Sequence, residues 1–202
     1  MGHPGVKMVM MNKNKTFIFQ NLLNDIQTLS LDELDKVKLL DRQDTKFVFN
    51  QDQLPVILEK IRPFYKILEI SNDLVFNYDT TYFDTDDFLF YNQHHNENRK
   101  RFKVRLRKYS SNSNLYFEIK IKNNKNRTIK KRLMVGEMNE VLGEKEKNLV
   151  SEIIGLPPNQ LSPMLNIQFT RITLADLSFS ERLTIDTNLF VKNGTGSNIF
   201  DQ

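Results

Sequence analysis

The chain has 202 residues, 39% of them hydrophobic, with 15 Phe and 6 Tyr, enough for one globular domain with a sizeable core. It has no cysteine, which excludes disulfides, thiolate metal sites and cysteine nucleophiles. The net charge of +4 is uneven: residues 99–132 hold fourteen Lys/Arg and one acid, Glu118, leaving −9 for the remainder. Such a concentration of positive charge points to a polyanionic ligand, and nucleic acid, an anionic membrane and polyphosphate all fit this first criterion.

Residues 1–15 read as a disordered leader without the apolar stretch of a signal peptide, and residues 16–202 as one domain. No apolar run approaches the roughly 18 residues of a membrane span, and the lack of cysteine fits an expected cytoplasmic location. Leu22, Leu23, Ile26 and Leu29 recur at helical spacing within 16–40, and Ser30 with Glu33 forms a capping box. DRQDTKFVF, residues 41–49, reads as a first strand. Pro55 opens a helix that Pro63 ends. YKILEI and LVFNYDTTYFDT read as strands, and DDFLFYNQHHN as a helical turn. Three further strands follow, RFKVRLRKY, NLYFEIKIK and RTIKKRLMV, joined by Asn/Ser/Lys turns. Residues 137–155 read as a helix that Gly155 and two prolines end, and NIQFTRITL with ERLTIDTNLFV as a last hairpin before the NGTGSN turn.

The chemistry lies in the three central strands. Side chains alternate between the faces of a strand. Arg101, Lys103, Arg105 and Arg107 therefore share one face, with Phe102, Val104 and Leu106 on the other. Glu118, Lys120 and Lys122 oppose Phe117, Ile119 and Ile121, and Lys130 and Arg132 oppose Ile129, Leu133 and Val135. Lys131 breaks this pattern. A solvated sheet face normally mixes charge signs, because like charges side by side cost a few tenths to about 1 kcal/mol per pair. A one-signed face is better explained by an anionic ligand. Arginine suits phosphate, since each guanidinium can offer two parallel hydrogen bonds.

Glu118 either offsets its cationic neighbours or faces a divalent metal bridging phosphate oxygens. On the later strands, Phe169 shares a face with Arg171, and Arg182 with Thr184 and Asp186. The His94–His95 pair lacks a third ligand at metal spacing and reads as structural. There is no G-x-S-x-G elbow, Walker loop or Rossmann fingerprint, so covalent catalysis is not indicated.

The series DRQDTKFVF, YDTTYFDT, FYNQHHN, RFKVRLRKY, YFEIKIKN, NKNRTIKKR, FTRITL and ERLTIDTNL resembles the vacuolar transporter chaperone (VTC) domain. That is the polyphosphate polymerase domain of the triphosphate tunnel metalloenzyme, or CYTH-like, superfamily. The resemblance implies an α+β fold: an antiparallel β-barrel, the triphosphate tunnel, with flanking helices. Family members continue past this chain's end with a further strand and a Ser-Lys segment, so a tunnel incomplete at the C-terminus is expected. The resemblance also implies a lumen that binds polyphosphate, ATP or triphosphate with Mn²⁺ or Mg²⁺. Carried over by motif, Lys46, Arg105, Arg107, Lys120, Lys130, Arg132, Arg171 and Arg182 become phosphate ligands, and Glu118 a candidate metal ligand.

The implied activity is metal-dependent phosphoryl transfer on polyphosphate or a nucleoside triphosphate, or hydrolysis of triphosphate. The alternative is a non-catalytic polyphosphate-binding regulatory module. Nucleic acid is not expected: base stacking needs aromatics on the basic face, and Phe102 and Phe117 point to the apolar one.

Overall fold

A computed structural model of the chain describes residues 21–36, 44–110, 114–123, 128–136 and 141–193. The expected leader and most of the NGTGSN turn lie outside the described residues. The fold is mixed α+β, with eight strands and flanking helices among the described residues, as expected. These residues form two compact units, one running up to Leu74 and including Ile172–Ile185, the other comprising Val75–Arg171 and the residues from Asp186 on.

In the first unit, β1 (Thr28–Leu29) runs parallel to β2 (Tyr65–Leu68), and β2 pairs antiparallel with the last residues of β7 (Ser162–Asp176). Helix α1 (Leu31–Lys36) starts with the predicted capping box: Ser30 N–H donates to Glu33 Oε2 at 2.8 Å, and Glu33 N–H to Ser30 Oγ at 3.2 Å. Helix α2 (Leu54–Ile61) carries Pro55 in its first turn, where a missing N–H breaks no hydrogen bond. Leu29, Leu34, Leu54, Leu58, Ile67 and Leu174 are among the apolar residues buried here.

The predicted strand at 41–49 is not found over its described part: residues 44–50 have no regular structure, and Phe47 and Val48 are exposed. The alternating pattern is present, but a strand exists only through ladder bonds to a partner, and no ladder among the described residues includes this segment.

The second unit is an antiparallel sheet in the order β8-β7-β3-β4-β5-β6. It contains β3 (Phe76–Asp84), β4 (Arg101–Tyr109), β5 (Leu115–Lys122), β6 (Thr128–Val135) and β8 (Arg182–Asn193), of which β8 enters the unit at Asp186. No ladder joins β6 to β8 among the described residues. Consecutive hairpins set the register of the three basic strands, and it agrees with the alternation read from sequence.

Helices α3 (Leu89–His95) and α4 (Glu144–Ile154) supply Phe90 and Val150 to a core with Phe83, Phe102, Val104, Leu106, Phe117 and Ile119. The apolar face of β4 and β5 is thereby buried, and the opposite face is left for the cations. Asp84 fastens α3: its carboxylate accepts from Thr85, Phe90 and Tyr91 N–H, each at 2.8 Å, and the last two are donors a helix start leaves open. Helix α4 starts later than predicted. Gly143 is extended at its N-cap, and Glu144 and Glu146 follow where negative charge favours the helix dipole. Its end is as predicted, with Gly155 in the left-handed region at φ 79°.

Candidate functional site

Directly paired residues of antiparallel strands share a face, so the register arranges the basic face in rows. The outermost row joins Arg101 and Lys122, and the next joins Lys103, Lys120 and Lys130. The third crosses four strands as Tyr82, Arg105, Glu118 and Arg132, and the fourth joins Thr80, Arg107 and Tyr116. Beyond these, Tyr109, Tyr78 and Phe169 lie side by side on β4, β3 and β7.

Glu118 anchors the third row. Its side chain is 1% exposed, and Oε2 accepts from Arg105 Nε at 2.9 Å and Nη2 at 2.7 Å. Its other oxygen pairs with Lys130 Nζ. Burial pushes the Glu118 carboxyl up, but the hydrogen bond from Lys130 and the Arg105 charge outweigh it and hold the group below the usual carboxylate range. Burial pulls Arg105 down, yet Tyr82 and Glu118 raise it overall. Arg105 Nη1 also donates to Tyr82 Oη at 3.4 Å. For Tyr82, burial is overcome by Arg105, which lowers the phenol from its ordinary value.

The other guanidiniums rest on polar or aromatic supports. Arg107 Nε donates to the fully buried Thr80 Oγ1 at 3.0 Å, and its Cζ lies 5.5 Å from the Tyr78 ring. Arg132 Cζ stands 4.0 Å from the Tyr116 centroid. Arg171 Cζ lies 5.0 Å from Phe169 and 5.2 Å from Tyr78, while its Nε and Nη2 form a fork to Asp186 at 2.6 and 2.7 Å. Guanidiniums held this way keep their charge and spend no rotamer freedom when an anion arrives.

Of the predicted phosphate ligands, Arg105, Arg107, Lys120, Lys130, Arg132 and Arg171 come together on this face, with Glu118 among them. Lys46 and Arg182 belong to the first unit. Lys46 is exposed in the segment without regular structure, and Arg182 Nη2 donates to Leu34 O at 3.2 Å.

A model of the VTC domain family matches residues 41–200. The chain belongs to the VTC domain family. No curated protein matches it.

A VTC domain is expected to work with Mn²⁺ or Mg²⁺, which take oxygen ligands, so carboxylates on the face are the donors to test. Glu118 and Asp186 are both engaged with guanidiniums, and the described residues contain no group of three or more His, Asp or Glu able to hold a metal ion. The described donor set therefore does not by itself fit a protein-held divalent cation. His94 is structural here, its Nε2 lying 3.2 Å from Phe102 O at the end of α3. Burial, with Lys103 and Arg101 nearby, pulls its pKa down to about 4.

Sequence reasoning missed the tyrosines of this VTC face. Tyr78, Tyr82, Tyr109 and Tyr116 share the face with the arginines and the predicted Phe169, while Phe102 and Phe117 lie in the apolar core as expected. The signal was present: Tyr109 is two residues from Arg107, and Tyr116 two from Glu118. A cleft of about 360 Å³ opens on the opposite face of the β3–β7 ladder, lined by Asn77, Asp79, Gln168 and Thr170. Its polar groups largely satisfy one another, as in the Gln168 bond to Asp79 at 3.1 Å and the Thr170 bond to Asn77 at 3.0 Å. It lacks the cation density that makes the basic face a candidate.

Proposed function

We propose that the basic face binds the oxygens of a phosphate chain and supports phosphoryl transfer on polyphosphate or a nucleoside triphosphate, or hydrolysis of triphosphate. One observation carries this reading. Among the described residues, nine cations, Arg101, Lys103, Arg105, Arg107, Lys120, Lys122, Lys130, Arg132 and Arg171, share a sheet face with two carboxylates, Glu118 and Asp186, each already paired. A polyanion neutralises this array, and family membership supplies the polyphosphate context.

In this reading Arg105 and Arg107 grip the chain bidentately, and Lys120, Lys130, Arg132 and Arg171 spread its charge. Lys46 and Arg182 join the set on the family resemblance alone. Phosphoryl transfer asks the protein mainly for alignment and charge stabilisation, which preset guanidiniums provide. The nucleophile is a terminal phosphate oxygen in chain synthesis, or water in hydrolysis.

The test is a pair of assays with Mn²⁺: phosphate release from tripolyphosphate, and chain synthesis from ATP. Turnover in either, lost in Arg105→Ala/Arg107→Ala, is expected. The paired state of both carboxylates favours a second reading, a polyphosphate-binding module without turnover. Tight binding with no turnover in either assay selects it, and undiminished binding by the double variant refutes both.

A further inference from the structure

We infer that Tyr82 is a further phosphate ligand, a neutral hydrogen-bond donor set among the cations of the basic face. The inference rests on the phosphate-binding reading above and adds a residue that the charge pattern does not reveal.

Tyr82 lies on β3, directly opposite Arg105 of β4 on one side and Leu165 of β7 on the other. It is half-buried. Its ring centroid is 6.0 Å from Arg105 Cζ, and its Oη accepts a hydrogen bond from Arg105 Nη1 at 3.4 Å. That bond uses a lone pair of the phenol and leaves the phenolic hydrogen uncommitted.

The surroundings offer that hydrogen no acceptor. Lys103, Arg105 and Arg107, whose charges bear on the phenol, carry donors only. Leu165 is apolar. Glu118, in the same row, has one oxygen engaged by Arg105 and the other by Lys130. Tyr65, in the first unit, shows the contrasting case, because its hydroxyl donates to Glu181. A half-buried phenol among donors, with no acceptor of its own among the described residues, is completed by an anion.

Arg105 is clamped so that the same anion meets both groups. Its Nε and Nη2 hold Glu118 Oε2 and its Nη1 holds Tyr82, while further N–H groups on Nη1 and Nη2 remain. Phenol and guanidinium therefore present adjacent donors, one neutral and one charged. The neutral one adds a hydrogen bond to phosphate without adding to the like-charge repulsion on the face. Burial pushes the phenol up, but Arg105, Arg107 and Lys103 outweigh it and hold it below its ordinary value, which makes the O–H a stronger donor.

A mere support for Arg105 would use the same oxygen as an acceptor. The two roles respond oppositely to acidity, since a more acidic phenol donates better and accepts worse. Calorimetric titration with tripolyphosphate at fixed salt and about pH 6, where the phenol keeps its proton, separates them. The proteins compared are wild type, Tyr82→Phe, and the full chain carrying the more acidic 3-fluorotyrosine in place of Tyr82. Tyr82→Phe should bind on the order of tenfold more weakly, and the fluorinated protein more tightly than wild type. Unchanged affinity in Tyr82→Phe would overturn the inference. So would fluorinated protein that binds no more tightly than wild type, which would make the oxygen an acceptor supporting Arg105. Either result, with binding still lost in Arg105→Ala/Arg107→Ala, removes Tyr82 alone. Wild-type protein that binds no tripolyphosphate, or binding that the double variant leaves undiminished, removes the phosphate site itself and the role of Tyr82 with it.

Discussion

Replacing Glu118 by Gln separates what the buried carboxylate does for the fold from what it does for the ligand. The carboxylate is 1% exposed, while its partners Arg105 and Lys130 are 15% and 41% exposed. Removing one member of a fully buried pair costs about 3–5 kcal/mol, because the remaining charge has no partner. Here both cations reach water and glutamine still accepts one hydrogen bond, so a loss of about 2 kcal/mol is expected. For a chain of this length that lowers Tm by roughly 4–8 °C.

The pH dependence has a definite sign. The folded-state pKa of Glu118 is depressed, so its stabilisation is present above the ordinary carboxylate range and lost as pH falls through the depressed value. Glu118→Gln should therefore flatten the acid limb of Tm against pH. Ligand binding should move the other way. A negative charge about 5 Å from a bound phosphate opposes it by about 1–2 kcal/mol after solvent screening. The variant should thus bind tripolyphosphate roughly 5- to 30-fold more tightly. Differential scanning and calorimetric titration read both effects. Weaker binding by a folded variant, accompanied by loss of any Mn²⁺ dependence, would refute the neutralising role and make Glu118 a metal ligand.

Three further outcomes follow from the geometry. Asp84→Ala removes the acceptor of three backbone N–H groups, two of them in the first turn of α3, and should cost about 2 kcal/mol in urea denaturation. Gly155→Ala places a side chain at φ 79° and should cost about 1 kcal/mol by the same measurement, although no neighbour lies within 4 Å. Histidine NMR should show His94 neutral between pH 5 and 8, titrating near 4. Because that pKa is lowered on folding, His94 withdraws stability as pH falls from about 6.5 toward 4.

The parts of this fold legible in the sequence are those fixed by neighbours in the chain. Alternation in RFKVRLRKY and YFEIKIK names both faces, and short turns between consecutive strands set the register that pairs Arg105 with Glu118. Caps at Ser30 and Gly155 are local chemistry as well. Less legible was what depends on partners distant in sequence. Phe169 reaches Tyr78 through the β3–β7 ladder, across most of the second unit, and no local pattern announces that pairing. The segment 44–50 failed for the same reason in reverse: its pattern asks for a partner strand that the described ladders do not provide.

The tyrosines change how the cationic face should be understood. Lysine rows and arginine rows carry the same charge but not the same chemistry. Lysines sit at one end with flexible stems and compact charges, suited to a phosphate chain that slides or grows. Arginines occupy the middle and far rows, each oriented by a ring, hydroxyl or carboxylate within the same face. Fixed donors are useful where a reacting phosphorus must be aligned, and mobile ones where a chain must pass. The face therefore runs from lysine rows near Arg101 to fixed guanidiniums at Arg105 and Arg107, with Arg171 held by Asp186 beyond the Tyr78–Phe169 row.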